Sequence, residues 1–192
     1  MKCVLALALA LATPTAFAAN EKLSVKAAES SLHWLGKKVT GQHEGTIDLK
    51  SGTLEMKDGM VVGGSFTVDM TSLKVIDIQD PADNGKLTGH LKSDDFFSVA
   101  KNQRSTFKIT KVEGDGESVT VTGDLTIKGV THPISFPAKV MRQGKRVEAT
   151  ASFPVDRTKY GIRYGSPSFF NNLGDKAINN EFQVSLKLVA SK

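Results

Sequence analysis

The sequence predicts an all-β domain, and three observations carry that expectation. Apolar and polar residues alternate with a period of two in segment after segment, glycine-containing breaks separate those segments, and within each segment only one side is apolar. Strands with one apolar and one wet face suit an antiparallel sheet with a single buried side.

The segments follow one another along the chain. Leu23, Val25 and Ala27 alternate with Ser24 and Lys26, and Leu32 and Trp34 with Ser31 and His33. His43, Gly45, Ile47 and Leu49 form the apolar side of the next segment. A Ser51-Gly52 turn is expected before Leu54 and Met56, and Asp58-Gly59 marks another. Phe66, Val68 and Met70 follow, then Phe107 and Ile109, then Val119, Val121, Gly123, Leu125 and Ile127. Ile134, Phe136, Ala138 and Val140 continue the alternation. Val147, Ala149, Ala151, Phe153 and Val155 come next, and Phe182, Val184, Leu186 and Leu188 close the chain. That makes about eight to ten strands by the alternation rule. Eight such strands can close into a barrel, and a two-sheet sandwich is the competing arrangement.

Two segments break the alternation. Ile76 to Ala100 contains Asp80-Pro81 and Asn84-Gly85, then a stretch from Lys86 to Lys92 that reads as a helical turn or two. Ser93 is placed to cap a second short helix through Asp94, Asp95 and Phe96. Tyr160 to Asn180 is the other irregular segment, and each carries a Phe-Phe pair.

Residues 1–18 read as a signal peptide. Lys2 gives the positive start, Val4 to Ala12 the apolar run, and Ala16-Phe17-Ala18 the small residues before a cut after Ala18. The run is well short of the ~20 residues that a membrane span requires. The expected mature domain, residues 19–192, is therefore exported and contains no cysteine, because the single cysteine is Cys3. Its stability must come from a packed interior rather than from disulfides.

Composition and motifs exclude several function classes. The formal charge is +5, with lysines scattered among acids and no basic stripe interleaved with aromatics, so nucleic acid is not an expected partner. Contact with an anionic ligand or a membrane surface is compatible with this charge. His33, His43, His90 and His132 show no HxH, HxxxH or HExxH spacing, so no metal site is expected. Asp94 and Asp95 are adjacent and point to different sides, which suits capping and solvation better than paired acid-base work. Neither a GxSxG elbow nor a GxGxxG or P-loop motif is present, so no catalytic residue is assigned.

The ten phenylalanines say more. Phe66, Phe107, Phe136, Phe153 and Phe182 fall on apolar strand faces, and Phe96, Phe97, Phe169 and Phe170 in the irregular segments. A small barrel can fill itself with side chains or hold one ligand. Gly45, Gly123, Ala138, Ala149 and Ala151 favour interior room. His43, on the apolar side of its strand, reads either as a histidine bonded to backbone or as a contact for a ligand's head group.

Several stretches then resemble the YceI-like family of lipocalin-like, polyisoprenoid-binding bacterial proteins. They are GHLKSDDFF (Gly89 to Phe97), GDLTIKGVTHPISF (Gly123 to Phe136), GQHEGTI (Gly41 to Ile47), DRTKYGI (Asp156 to Ile162) and SFFNNLGDKAI (Ser168 to Ile178). The resemblance implies an extended eight-stranded antiparallel lipocalin-like barrel with short helical segments in its loops. It implies a long-chain isoprenoid, quinone-like or other amphiphilic lipid held inside, no other cofactor, and no catalysis. On that reading Trp34, Ile47, Phe66, Phe96, Phe97, Phe107, Phe136, Phe153, Phe169, Phe170 and Phe182 line the site, and His43 and His90 meet the head group. The resemblance also implies a periplasmic protein, acting as a monomer or a homodimer with transient contact at a membrane surface. An enzyme modifying such a lipid, or a ligand-free interaction or stress factor, are the alternatives.

Overall fold

The computed structural model describes residues 20–192, so the expected signal peptide lies outside the described residues. The strands are β1 (Asn20–Val25), β2 (Ser31–Lys38), β3 (Gly41–Lys57), β4 (Met60–Val75), β5 (Arg104–Glu113), β6 (Ser118–Ile127), β7 (Val130–Gln143), β8 (Arg146–Asp156) and β9 (Ile178–Ser191). One helix, α1 (Pro81–Lys92), stands between β4 and β5.

Every paired neighbour is antiparallel, and β3–β4 pairing closes the sheet on itself. β1 and β2 share one place in the ring. Both lie between β3 and β9, end to end, separated by the turn at Ala27–Glu29. The result is a closed barrel of eight strand positions, not a sandwich. Closure removes the exposed strand edges.

β3 runs unbroken where a Ser51-Gly52 turn was expected. A bulge replaces the turn: Leu49 pairs Val68 while Ser51 pairs Thr67, so two residues of β3 face one step of β4. That slip moves the inward set from Ile47 and Leu49 to Leu54 and Met56, from odd to even positions. The Asp58-Gly59 turn forms as expected, with positive φ at both residues (52° and 82°) as a two-residue hairpin turn requires.

The helix begins earlier than its leucines suggest. Asp80 Oδ1 accepts the Ala82 and Asp83 N–H groups, each at 2.9 Å, and Pro81 occupies the first helical turn, where its missing N–H costs nothing. Asn84 Nδ2 ties that turn to the carbonyls of Val75 and Ile78 at 3.0 and 2.9 Å. Ser93 does not start a second helix. Its Oγ donates to the His90 carbonyl at 2.8 Å and closes α1, and residues 94–97 form a turn.

Inside the barrel, three aromatic rings lie against bare backbone. A Cβ on Gly45 would sit 2.4 Å from the Trp34 ring and 1.9 Å from the Lys74 carbonyl oxygen. One on Gly52 would sit 2.7 Å from the Phe66 ring, and one on Gly123 2.5 Å from the Phe107 ring. Trp34 pairs directly with Gly45, and Gly52 with Phe66, so each glycine clears the wall for its cross-strand neighbour. Gly89 of α1 meets nothing within 4 Å.

This contrast sets an expected outcome. Gly45→Ala should destabilise the barrel by about 1–3 kcal/mol through forced displacement of Trp34 and β4. Gly89→Ala should stabilise it by about 0.5–1 kcal/mol, the ordinary helix gain. Urea unfolding midpoints of the two variants check the pair; equal shifts would contradict the packing at Gly45.

Candidate functional site

The barrel is hollow. Its lumen is a cavity of about 290 Å³ lined almost wholly by carbon. The inward residues of every strand from β2 to β9 contribute, including Ile47, Leu49, Val68, Val121, Leu125, Ile134, Val140, Val155, Leu186 and Leu188. Ala138, Ala149 and Ala151 line it as well, where larger side chains would reach across it.

Four phenylalanines form a row along the wall. Phe66 and Phe107 stand 6.4 Å apart between ring centres, Phe107 and Phe136 5.6 Å, and Phe136 and Phe153 3.9 Å in a near-parallel stack. They come from β4, β5, β7 and β8. β6 carries no ring in this row, yet the row is not broken there. Phe107 leans over bare Gly123 and meets Phe136 across it.

One end of the lumen is packed shut. Leu23, Met56, Val147 and Ala190 are there with almost no exposure, joined to Leu54, Val61 and Leu188. The other end is roofed. Leu87 and Leu91, one helical turn apart on the same face of α1, line the cavity with Phe96 and Phe97 from the turn that follows. Phe97 meets Phe182 of β9 edge-on at 6.2 Å. Polar residues join the lining mainly at this end: Lys37, Lys38, His43, Arg157, Asn179 and Glu181.

Arg157 was not foreseen as a site residue, although it lies in the Asp156 to Ile162 stretch. It is buried with 4 % exposure and bonds four carbonyls. Its Nε donates to Asn179 at 2.9 Å, Nη1 to Ile162 and Tyr164 at 3.0 and 2.9 Å, and Nη2 to Ile178 at 3.0 Å. Burial pulls its pKa down from the ordinary arginine value, with Asp156 acting the other way. A basic residue inside a motif is the only sequence signal of this role; the four acceptors are brought together by the fold.

Of the residues singled out from sequence, Trp34, Ile47, Phe66, Phe96, Phe97, Phe107, Phe136, Phe153, Phe182 and His43 all reach the lumen. Three do not. Phe169 and Phe170 point outward, 46 % and 50 % exposed, because their loop turns back on Ser166 and carries them away from the cavity. His90 is absent from the lining; its ring is edge-on to Tyr164 at 4.5 Å and to Phe96 at 5.0 Å, with Nε2 3.3 Å from Asp95.

Among the described residues, the Trp34 indole N–H and the Tyr160 hydroxyl are buried without a hydrogen-bond partner. Burial pushes the Tyr160 pKa up to about 12, so it stays a neutral phenol. Trp34, unlike Tyr160, is part of the lumen wall.

The chain can now be set beside known proteins. The YceI-like domain matches residues 23–190. This chain belongs to the YceI-like family. A UPF0312 protein of Pseudomonas paraeruginosa and Protein YceI of Escherichia coli are each 47% identical to it over 55 residues, a segment that is 29% of this chain and 29% of each relative's length. Among solved structures, BcnA of Burkholderia cenocepacia superposes with a TM-score of 0.68 at 21% identity, covering 87% of this chain and 99% of that one. A polyisoprenoid-binding domain from Saccharophagus degradans, implicated in plant cell wall breakdown, gives 0.64 at 17% identity, with 88% and 97% coverage. These likenesses establish the YceI-like barrel as the fold.

At the roofed end His43 Nδ1 lies 2.8 Å from Asp77 Oδ2, and Asp77 Oδ1 accepts the Glu44 N–H at 3.2 Å. Partial burial works to raise the Asp77 pKa, but the bonds from His43 and Glu44 outweigh it and hold the carboxyl below its ordinary value of 3.8. A depressed folded pKa means these bonds stabilise the native state above the carboxylate range. Their contribution fades as pH falls through the folded pKa. Asp77→Asn should therefore have a lower urea midpoint than the wild type at pH 7, and the gap should close as the pH is lowered below about 4. A gap that does not change with pH would contradict this.

Proposed function

We propose that the protein is a periplasmic carrier that holds a long-chain isoprenoid, quinone-like or similar amphiphilic lipid in the barrel lumen and performs no chemistry on it. The observation that carries this reading is the hollow, carbon-lined lumen with its rings folded against the wall. A deep apolar space with few polar groups is what such a guest requires. Each methylene moved from water into it gains about 0.8 kcal/mol, so the part of a long chain that enters the lumen has ample driving force before the cost of ordering it. The Saccharophagus degradans neighbour, described as polyisoprenoid-binding, supports the choice of guest.

Lys37, Lys38 and His43 line the roofed end, and in this reading they meet the polar head.

One variant tests the reading. Ala151→Phe places a ring in the lumen beside Ala138, its cross-strand partner, so a folded protein with affinity for a fluorescent prenyl-quinone probe reduced at least about tenfold is expected. Unchanged affinity in the folded variant would remove the lumen as the binding site.

A further inference from the structure

The exposed large apolar side chains gather at the roofed end. Of eight among the described residues, Val39, Ile76, Val130, Tyr164, Phe169 and Phe170 lie on connections or strand ends there. Only Met60 and Val62, beside the Asp58-Gly59 turn, lie at the packed end.

The Phe169-Phe170 tip is built onto the cavity mouth. Ser166 accepts both phenylalanine N–H groups at 3.1 Å, and its Oγ donates to Asn180 at 2.7 Å. Asn180 in turn donates to Ser168 at 2.7 Å, and the Ile178 N–H reaches the Gly165 carbonyl at 2.8 Å. Ile178 and Asn179 line the lumen, so the tip is stapled to the strand end that borders the opening. Val39 stands beside it, its N–H donating to Ala177 at 3.2 Å. Two adjacent, half-exposed phenylalanines on a well-bonded loop are the mark of a surface that meets another apolar phase.

Charge narrows what that phase is. Lys37, Lys38, Lys159, Arg163 and Lys176 are exposed, and none of them is in an ion pair among the described residues. Arg163 also covers the Phe169 ring at 4.8 Å. Among the acids at this end, Asp83, Asp94 and Asp95 are paired with Lys86, Lys101 and His90, His43 occupies Asp77, and Asp80 and Asp156 cap turns, which leaves Glu44, Asp175 and Glu181. Free cations therefore outnumber free anions around the aromatic tip. Basic residues flanking exposed rings suit an anionic lipid surface, where the rings enter the headgroup boundary and the cations meet the headgroups.

We propose that this end of the barrel docks on an anionic bilayer through Phe169, Phe170 and Val39, and so sets the lumen mouth against the membrane. The inference rests on the lipid-carrier reading. A long apolar chain passing from bilayer to lumen through water would expose every methylene on the way, whereas a docked mouth shortens or abolishes that exposure.

Vesicle flotation tests the proposal with the mature protein, comparing phosphatidylcholine alone with a 3:1 mixture of phosphatidylcholine and phosphatidylglycerol. The wild type should float with the anionic vesicles and be released by high salt. Phe169→Ser/Phe170→Ser should reduce flotation at least tenfold, and Val39→Ser, remote in sequence, should reduce it by a smaller factor. The double variant should also take up a prenyl-quinone probe from vesicles more slowly, while binding it from dilute solution as the wild type does. Wild-type protein that stays with the solution in both mixtures, or variants that float as it does, would overturn docking. Flotation without probe binding by any form would leave docking standing and overturn the lipid-carrier reading instead.

Discussion

An aromatic ring that lies flat against the wall of a narrow barrel leaves open the space that a ring crossing it would fill. The lumen depends on that constraint. Trp34, Phe66 and Phe107 can lie flat only because Gly45, Gly52 and Gly123 present no Cβ beneath them. The alanines of β7 and β8 extend the same principle with short side chains. The interior is thus apolar enough to close the barrel and open enough to admit a guest. Filling residues would have made the same strands into an ordinary solid core.

The roofed end solves a different problem. A barrel mouth exposes backbone where strands end, and the long β8–β9 connection would be loose without a partner for its carbonyls. Arg157 supplies five donors in a rigid fork and uses them on four carbonyls of that connection and of β9. Its burial is costly for a charge, and the full set of acceptors is what makes it tolerable. With the loop held, Ile178 can border the lumen, α1 can lay Leu87 and Leu91 over it, and the tip at Phe169 and Phe170 is left facing outward. The wall itself is dressed for water, with Lys108, Thr110, Thr122 and Lys139 on its outer face, unlike a barrel whose outer band faces lipid.

Much of this was legible in the chain. Period-two alternation marked the inward face of nearly every strand, because the pleat sends successive side chains to opposite sides. The match in GHLKSDDFF and its companion stretches selected a barrel over a sandwich, which alternation alone left open. The β3 bulge was misread as a turn because Ser51-Gly52 has turn chemistry, and only the pairing with β4 shows that the strand continues. Helix α1 was read too short because Asn84-Gly85 looked like a break, although Asp80-Pro81 is a sound helix start. Phe169 and Phe170 were expected in the lining as part of the family resemblance. Nothing local distinguishes a phenylalanine that fills a lumen from one that faces out, since hydrogen bonds to Ser166 and Asn180 set the loop's direction. Arg157 could not be weighed because its four acceptors converge only in three dimensions.

The most direct measurement is native mass spectrometry of residues 19–192, taken first as purified from the native source without detergent. It is then repeated after incubation with a long-chain polyprenol and with a long-chain quinone. The proposed carrier predicts a one-to-one adduct that survives transfer to the gas phase, either already present or formed on incubation. It also predicts that filling the lumen at Ala151 abolishes the adduct. A wild-type protein that shows no adduct before incubation and none with either lipid would contradict the carrier, leaving a hollow barrel whose interior holds no cargo of this kind.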